Sequence, residues 1–249
     1  MKERVRVIGS YLSPYVRKVL VFLDLKGIPY EVDPIVPAFG DDGFTQISPL
    51  RRIPVLVDSH INLCDSSVIC QYLEDRYPRP SLYPCDVVAR AKARWIEEYA
   101  DTRIGDVIIW RLFYQVAIGP GVFRSKTDRA IVDKAVHEEI PQILDHLEPH
   151  LPESGFMFGE LSIADITLAC FFRNAAFARV RIDATRWPRS AAFIERVLAL
   201  PSFTALTVFE DRTLRAPVAQ HRQVLAELGA PLTAETCADD TLRPRIMQT

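Results

Sequence analysis

The sequence lacks paired cysteines, a cluster of metal ligands and a long apolar run. Its five cysteines stand singly in 249 residues, with no Cys-x-x-Cys motif and no histidine at ligand spacing. We therefore expect neither a disulfide framework nor a zinc site. No apolar run reaches the roughly 18 residues that a membrane span needs, and no basic-then-apolar leader opens the chain. These features predict a cytoplasmic protein.

The sequence also has no large excess of positive or of negative charge. The formal net charge is −2 and no stripe of lysine and arginine appears, so nucleic acid is not an expected partner. His146 and His150 are spaced as neighbours on a helix, but no carboxylate-rich context accompanies them, and no metal is predicted. The chain does contain 49% hydrophobic and 25% charged residues, which suffices for the cores of one or two soluble domains.

The organisation of the chain changes near residue 77. Residues 1–77 follow the order strand, helix, strand, irregular loop, strand, strand, helix, which is compatible with a thioredoxin-like sheet. A proline-rich linker follows at 78–86, and in 87–214 the strand signals vanish. The predicted fold class is thus α/β plus all-α. Residues 215–249 form a C-terminal extension. Residues 217–249 mix both signs of charge, which favours a solvated extension, although the sequence leaves open whether 215–249 folds over a cleft or trails in solvent.

The second domain is predicted to contain five helices. Gly119-Pro120-Gly121 is expected to end the first of them. Ser162 and Asp165 have the spacing of a capping box, and the helix that they open is apolar almost all round, so it should lie in the core. The predicted helices are Val87–Ile118, Lys126–Leu151, Ser162–Val180, Trp187–Leu200 and Ser202–Leu214.

Ser13 stands between a strand and a helix. The apolar stretch 5–8 predicts the strand, and apolar residues on one helical face in 16–23 predict the helix. Ser13 is therefore expected to be the N-cap, with Pro14 in the first turn. A thiol docked there would meet a hydroxyl donor and the positive end of a helix dipole, and both stabilise a thiolate. A simple capping role is the alternative.

Ile53-Pro54 lies just before a predicted strand at 55–57. Because proline cannot donate a hydrogen bond inside a sheet, it belongs at the first position of the strand. A cis bond at this place would turn the N–H and C=O of Ile53 toward an extended, peptide-like ligand. After a short turn, residues 61–63 are predicted to form a fourth strand.

Asp65 and Ser66 precede a helix predicted at Ser67–Arg76, and either of them could cap it. The free N–H groups of a helix start favour a carboxylate, such as the free amino-acid end of a γ-glutamyl peptide. Simple capping is again the alternative, and the two interpretations do not exclude each other.

From Arg4 to about Leu214, the chain resembles a cytosolic glutathione transferase of a Ser-type class. The order of an α/β half, a proline-rich linker and an all-helical half is typical of that family. The resemblance also involves Ser13-Pro14, Ile53-Pro54, Asp65-Ser66 and the stretch Gly159-Glu160-Leu161-Ser162-Ile163-Ala164-Asp165.

The resemblance implies that the first domain binds glutathione as co-substrate, that the helical domain supplies a pocket for a second substrate, and that the protein is a homodimer. It also implies a cis bond at Pro54 and a role for each matching residue. In these roles, the thiolate is held by Ser13, the cysteinyl backbone by Ile53, the γ-glutamyl end by Asp65 and Ser66, and the glycyl carboxylate by Arg52.

Two points stay open at this stage. Tyr11 could share or replace the donor role of Ser13, or it could be a packed aromatic residue. The candidates for the second-substrate pocket are Arg103, Asp106 and Trp110. An arginine there would suit an acidic co-substrate. For Trp110 the alternative is packing in the core. Because the disulfide-exchanging classes carry a cysteine where this chain has Ser13, a redox mechanism is not expected.

The predicted function is conjugation of glutathione, activated as a thiolate, to a small electrophile. A glutathione-dependent isomerase or dehalogenase on the same scaffold is one alternative. A non-catalytic dimerising or chaperone-like module is another, since function does not follow from fold.

Overall fold

The computed structural model describes residues 3–243, which form two compact units. The first unit contains the chain up to Pro80 together with the residues from Ala205 onward, and the second runs from Ser81 to Thr204. Within residues 3–243 no single helix is long and apolar enough to cross a membrane, although the bent pair Pro188–Leu198 and Pro201–Arg215 meets the length and composition criteria together.

A four-stranded mixed sheet forms the centre of the first unit. Its strands are β1 (Val5–Ile8), β2 (Tyr30–Asp33), β3 (Val55–Val57) and β4 (Asn62–Cys64), in the order β2-β1-β3-β4. β1 is parallel to β2 and antiparallel to β3, and β3 is antiparallel to β4. The predicted thioredoxin-like sheet is confirmed, with its fourth strand one residue later than predicted.

Three helices belong to the N-terminal part of this unit: α1 (Pro14–Leu25), α2 (Asp42–Ile47) and α3 (Ser66–Arg76). α1 and α3 lie where the sequence predicts them. The short α2 falls in a stretch that the sequence predicts as a loop, and Asp41 caps it by accepting the Phe44 N–H at 2.7 Å. The only residue of α2 that is fully buried is Phe44, so its sequence carries too little apolar periodicity to indicate a helix.

Lys26, at the end of α1, ties this helix to the end of α3. Its buried ammonium group lies 2.7 Å from the Glu74 carboxylate and donates to the carbonyl oxygens of Tyr77 at 2.6 Å and Pro80 at 2.7 Å. A buried lysine is stable only when its charge and its donors are satisfied in this way. The contacts fix the chain as it leaves α3.

The second unit is helical, which confirms the all-α prediction. α4 (Val87–Tyr99) continues as π-helix through Ala100–Ile104 and Asp106–Phe123, and α5 (Arg129–Lys134) continues through the π-helix Ala135–Glu139 into α6 (Ile140–Leu147). The further helices are α7 (Ile163–Phe177), α8 (Pro188–Leu198) and α9 (Pro201–Arg215), of which α9 reaches into the first unit.

The predicted helix break at Gly119-Pro120-Gly121 is wrong, because the helix continues to Phe123. In a π-helix the N–H at position 120 would bond to the carbonyl of residue 115, and proline has no N–H. The hydroxyl of Thr127 donates to the Gln115 carbonyl at 2.8 Å instead. A side chain from the following loop therefore satisfies the group that the proline leaves open.

The capping box at the start of α7 is confirmed. The carboxylate of Asp165 accepts the Ser162 N–H at 2.8 Å, the Ser162 hydroxyl at 2.7 Å and the Met157 N–H at 2.8 Å. Asp165 is fully buried, as are Ile166, Leu168 and Cys170 on the helix that follows. α7 is thus the core helix of its unit, as its apolar sequence predicts.

The C-terminal segment is anchored in the first unit and does not form a solvated extension as far as Arg243. It contains α10 (His221–Glu227), and its residue Leu232 makes a parallel bridge to Val32 on the open edge of β2. A mixed-charge sequence suggests solvent exposure, but here charged side chains find partners across the sheet edge, and backbone pairing holds the rest. The remainder of the predicted extension, 244–249, lies outside the described residues.

Candidate functional site

Ser13 is the N-cap of α1. Its hydroxyl oxygen accepts the Val16 N–H at 3.3 Å, and its backbone is extended, with φ −80° and ψ 127°. This bond uses a lone pair of the oxygen, so the hydroxyl proton remains for a ligand. A half-buried hydroxyl at the positive end of a twelve-residue helix suits an anionic partner.

Tyr11 is close in sequence but differs in environment. Its side chain is only 1% exposed, its ring packs 5.4 Å from the ring of Phe209, and its hydroxyl has no hydrogen-bond partner among residues 3–243. Burial, with a smaller effect of Tyr30, raises the pKa of Tyr11 far above its ordinary value. The phenol is therefore neutral and shielded from solvent, which favours the packed-aromatic interpretation.

Gly9 brings the Ser13 loop against Ile53. A Cβ at this position would lie 2.5 Å from Val16 Cγ2 and 3.1 Å from Ile53 Cβ, and the φ of Gly9 is +153°. Only glycine meets both conditions without strain. The Ile53–Pro54 bond is cis, as the resemblance implies, and Pro54 directly precedes β3. The structure therefore brings the predicted segments Ser13-Pro14 and Ile53-Pro54 close to each other.

Arg52 is held through its backbone. The Ser48 hydroxyl donates to the Arg52 carbonyl at 2.8 Å and accepts the Arg52 N–H at 3.0 Å. Ser48 is buried, whereas Arg52 is exposed. One hydroxyl thus fixes both backbone groups of the residue before Ile53, while the guanidinium group lies at the surface.

Asp65 and Ser66 occupy the start of α3. Asp65 is the N-cap, has a positive φ of 75°, and accepts the N–H groups of Ser67 at 3.0 Å and Val68 at 3.2 Å. Ser66 is buried in the first turn. Because Asp65 accepts the N–H groups of Ser67 and Val68, the Ser66 N–H is the backbone donor of this first turn that the Asp65 carboxylate does not take.

Lys18 connects this helix start to α1. The side chain is 1% exposed, and its ammonium group donates to the Ser67 hydroxyl at 3.0 Å. The contact joins the helix that Ser13 caps to the helix that Asp65 caps. It also places a buried positive charge at the first turn of α3, where it adds to the helix dipole.

The candidate pocket residues of the second unit form a charge network. Arg111 donates to Asp106 at 2.7 Å and to the buried Glu139 at 2.6 Å, while Arg103 lies 3.8 Å and 3.7 Å from the same two carboxylates. Two arginines thus balance two acids, which leaves little net positive charge for an acidic co-substrate. Trp110 is half-buried, with its ring 6.5 Å from that of Tyr114.

No group of three or more histidine, cysteine or acidic residues within 3–243 could hold a metal ion. His146 and His150 meet edge to face, with ring centroids 5.5 Å apart, and the His146 ring also lies 5.0 Å from that of Tyr99. These histidines form an aromatic contact at the surface.

Comparison with known proteins identifies the family. The N-terminal domain of glutathione S-transferases matches residues 7–81, and the C-terminal domain of glutathione S-transferases matches residues 90–196. The GST-like protein YibF of Escherichia coli (strain K12) is 30% identical over 203 residues, which cover 80% of this chain and 96% of YibF. The chain belongs to the glutathione S-transferase superfamily.

Solved glutathione S-transferases share the fold of the chain. The enzyme from Rhodospirillum rubrum F11 superposes with a TM-score of 0.78 at 23% identity, covering 88% of this chain and 99% of its own. Maleyl pyruvate isomerase, a bacterial glutathione S-transferase of the Zeta class, gives a TM-score of 0.68 at 24% identity, with coverages of 82% and 97%. At these identities the likeness shows the common architecture.

Lys18 and Gly9 support this site of the glutathione S-transferase fold, but neither was predicted from the sequence. The sequence carried no signal for the burial of Lys18, because position 18 lies off the helical face that the apolar residues of 16–23 form, where a lysine is expected to be exposed. The signal for Gly9 was weak, because a glycine after a strand has many possible causes. Its cause here is the close approach of Ile53.

Proposed function

We propose that the protein binds glutathione in the first unit, holds its thiolate through Ser13 and conjugates it to a small electrophile. The observation that carries this proposal is the Ser13 hydroxyl, which accepts a cap bond from Val16 and keeps its proton for a ligand. The helix dipole and this donor both lower the free energy of a thiolate relative to a thiol. The protein would position the nucleophile and stabilise its charge.

The other residues would bind the tripeptide. Ile53, beside the cis Pro54, would pair with the cysteinyl backbone in the manner of an added strand. Ser66 would meet the γ-glutamyl carboxylate, and Asp65 would meet the ammonium group at the same end. Arg52 would face the glycyl carboxylate. Tyr11 is a weaker candidate for the thiolate donor, because it is buried and has no contact with solvent.

A glutathione-dependent isomerase or dehalogenase is the second candidate, and it is supported by the shared fold with maleyl pyruvate isomerase. In that chemistry the thiolate adds to the substrate and later leaves, so free glutathione is regenerated. The homodimer and the pocket role of Arg103, Asp106 and Trp110 stay predictions from the family resemblance. The cytoplasmic location stays a prediction from the lack of an apolar span and of a leader in the sequence.

The test compares Ser13→Ala and Ser13→Gly with the wild type. Glycine at an N-cap costs only a few tenths of a kcal/mol in helix stability and has no side-chain donor, so it separates helix stability from chemistry. We expect kcat/KM with an aromatic halide to fall by about 10²–10³-fold in both variants, the range found for loss of one donor to a developing anion, while Ser13→Gly keeps a Tm close to that of the wild type. Calorimetry from about pH 6 to 8 should show that wild-type glutathione binding releases a proton.

Ser10→Ala is the matched control. The Ser10 hydroxyl also accepts a nearby backbone N–H, that of Leu12 at 3.2 Å, but it is not at the start of α1. Turnover in Ser13→Gly equal to that of Ser10→Ala would refute the role of Ser13. Recovery of unmodified glutathione after turnover would favour the isomerase, and absence of glutathione binding by the wild type would favour the non-catalytic module.

A further inference from the structure

The C-terminal segment makes a continuous set of contacts with the loop that follows β2. Residues 231–243 run beside β2 and then beside the loop 35–41, which leads into α2. Backbone hydrogen bonds join residues 231–243 to β2 and to this loop: Val32 N–H to Pro231 O at 2.7 Å, Thr233 N–H to Val32 O at 3.1 Å, Asp41 N–H to Cys237 O at 2.8 Å, Asp239 N–H to Phe39 O at 2.8 Å, and Arg243 N–H to Ala38 O at 2.7 Å.

The buried carboxylate of Asp33 anchors this segment. Asp33 is 0% exposed, and its two oxygens accept the Thr236 hydroxyl at 2.7 Å, the Cys237 N–H at 2.7 Å and the Arg222 guanidinium at 3.3 Å. Thr236 and Cys237 belong to residues 231–243, and Arg222 lies on α10. A buried carboxylate is stable only with such partners, so breaking these hydrogen bonds would cost free energy. Asp33 therefore holds the segment in place.

The loop that the segment holds leads directly to Arg52. Arg51 donates to the carbonyl oxygens of Pro37 and Gly40, both at 2.8 Å, and thereby closes the loop on itself. The next residue, Arg52, has its backbone fixed by Ser48, one residue after the end of α2. Any displacement of the loop 35–41 would therefore be passed to Arg52 and Ile53.

We propose that residues 231–243 form a positioning strap for the tripeptide-binding loop, with Asp33 and Thr236 as positioning residues. This inference rests on the proposed function in one respect, namely that Arg52 and Ile53 contact glutathione. The strap touches no reacting atom. It holds the loop 35–41, and through it α2 and Ser48, in the conformation that presents the backbone of Ile53 and the charge of Arg52. It therefore acts on the affinity for glutathione rather than on thiolate chemistry.

Thr236→Val in the full chain tests the strap. The change keeps the shape of an exposed side chain and removes the hydroxyl donor to Asp33. We expect hydrogen exchange in the loop 35–41 to accelerate by about tenfold, equivalent to about 1.4 kcal/mol, and KM for glutathione to rise while kcat stays within about twofold. Thr236→Ser restores the donor and should restore both quantities.

Arg222→Met is a second test variant, because it removes another hydrogen-bond donor to Asp33. Arg212→Met is the control, since it deletes an exposed arginine of α9. Unchanged exchange of the loop in both Thr236→Val and Arg222→Met would overturn the strap, and so would faster exchange with an unchanged KM. If the wild type bound no glutathione, the proposed function would fail, whereas loop exchange would still decide whether the strap holds the loop.

Discussion

The buried ion pair between Arg17 and Glu210 gives the sharpest test of how the first unit is held together. Arg17 lies on α1, one turn after Ser13, and is 1% exposed, while Glu210 lies on α9 and is 2% exposed. The Arg17 Nε donates to the Glu210 carboxylate across 193 positions of sequence. Arg17→Met keeps the length of the side chain and removes its charge.

The expected cost follows from this burial. Removal of one partner of a buried pair leaves the other charge poorly compensated, which costs about 3–5 kcal/mol, whereas replacement of both by apolar residues is often neutral. We therefore expect Arg17→Met and Glu210→Leu each to lower the free energy of unfolding by about 3–5 kcal/mol. The double variant should recover most of that loss, so the two effects should be strongly non-additive.

Urea unfolding followed by circular dichroism measures these values. Fluorescence alone does not suffice, because all three tryptophans lie in the helical unit and report on that unit. Arg212→Met removes an exposed arginine from the same helix as Glu210, and it should change stability by only about 0.5 kcal/mol. Single variants as stable as Arg212→Met, or a double variant whose loss equals the sum of the two singles, would show that this reasoning is wrong.

Two further predictions concern carboxylates. Burial would raise the pKa of Asp58, but hydrogen bonds from Tyr72 and from the N–H groups of His60 and Ile61, with the charge of Arg76, hold it below its ordinary value. Asp58→Asn should therefore destabilise by about 1–3 kcal/mol at neutral pH, and thermal melts should show this difference vanishing as the pH falls through the lowered pKa. Asp165→Ala should cost about 3 kcal/mol or more in urea unfolding, because three donors lose their acceptor. Asp86→Ala, which removes an exposed cap of α4, should cost only about 1 kcal/mol, and equal losses in the two variants would contradict the argument.

Local signals were sufficient for several parts of the site. Ser13, Asp65 and the pair Ser162–Asp165 are caps, and a cap is decided by residues within one turn of it. The same is true of Pro54, whose place before β3 follows from its missing N–H. For these residues the sequence window that contains the cause is short, so pattern and structure agree.

Contacts between distant segments could not be predicted. Thr236 donates to Asp33, and Lys18 donates to Ser67. Such pairs depend on which faces of two elements meet, and one chain without relatives gives no information about that. The extension of the helix through Pro120 belongs with them, because the compensating hydroxyl of Thr127 comes from outside the helix.

These long-range pairs change which parts of the chain stabilise the proposed glutathione site. The residues proposed to contact the tripeptide all lie before Pro80, but Arg17 and Asp33 are buried charges whose partners described above come from the part of the chain after Ala205. Loss of the partners of one buried charge costs several kcal/mol, while a whole domain is stable by only about 5–15 kcal/mol. Two such losses would use most of that margin. The N-terminal sheet with its helices therefore carries the residues proposed to contact glutathione, and α9 and α10 supply the counter-charges, Glu210 and Arg222, that stabilise it.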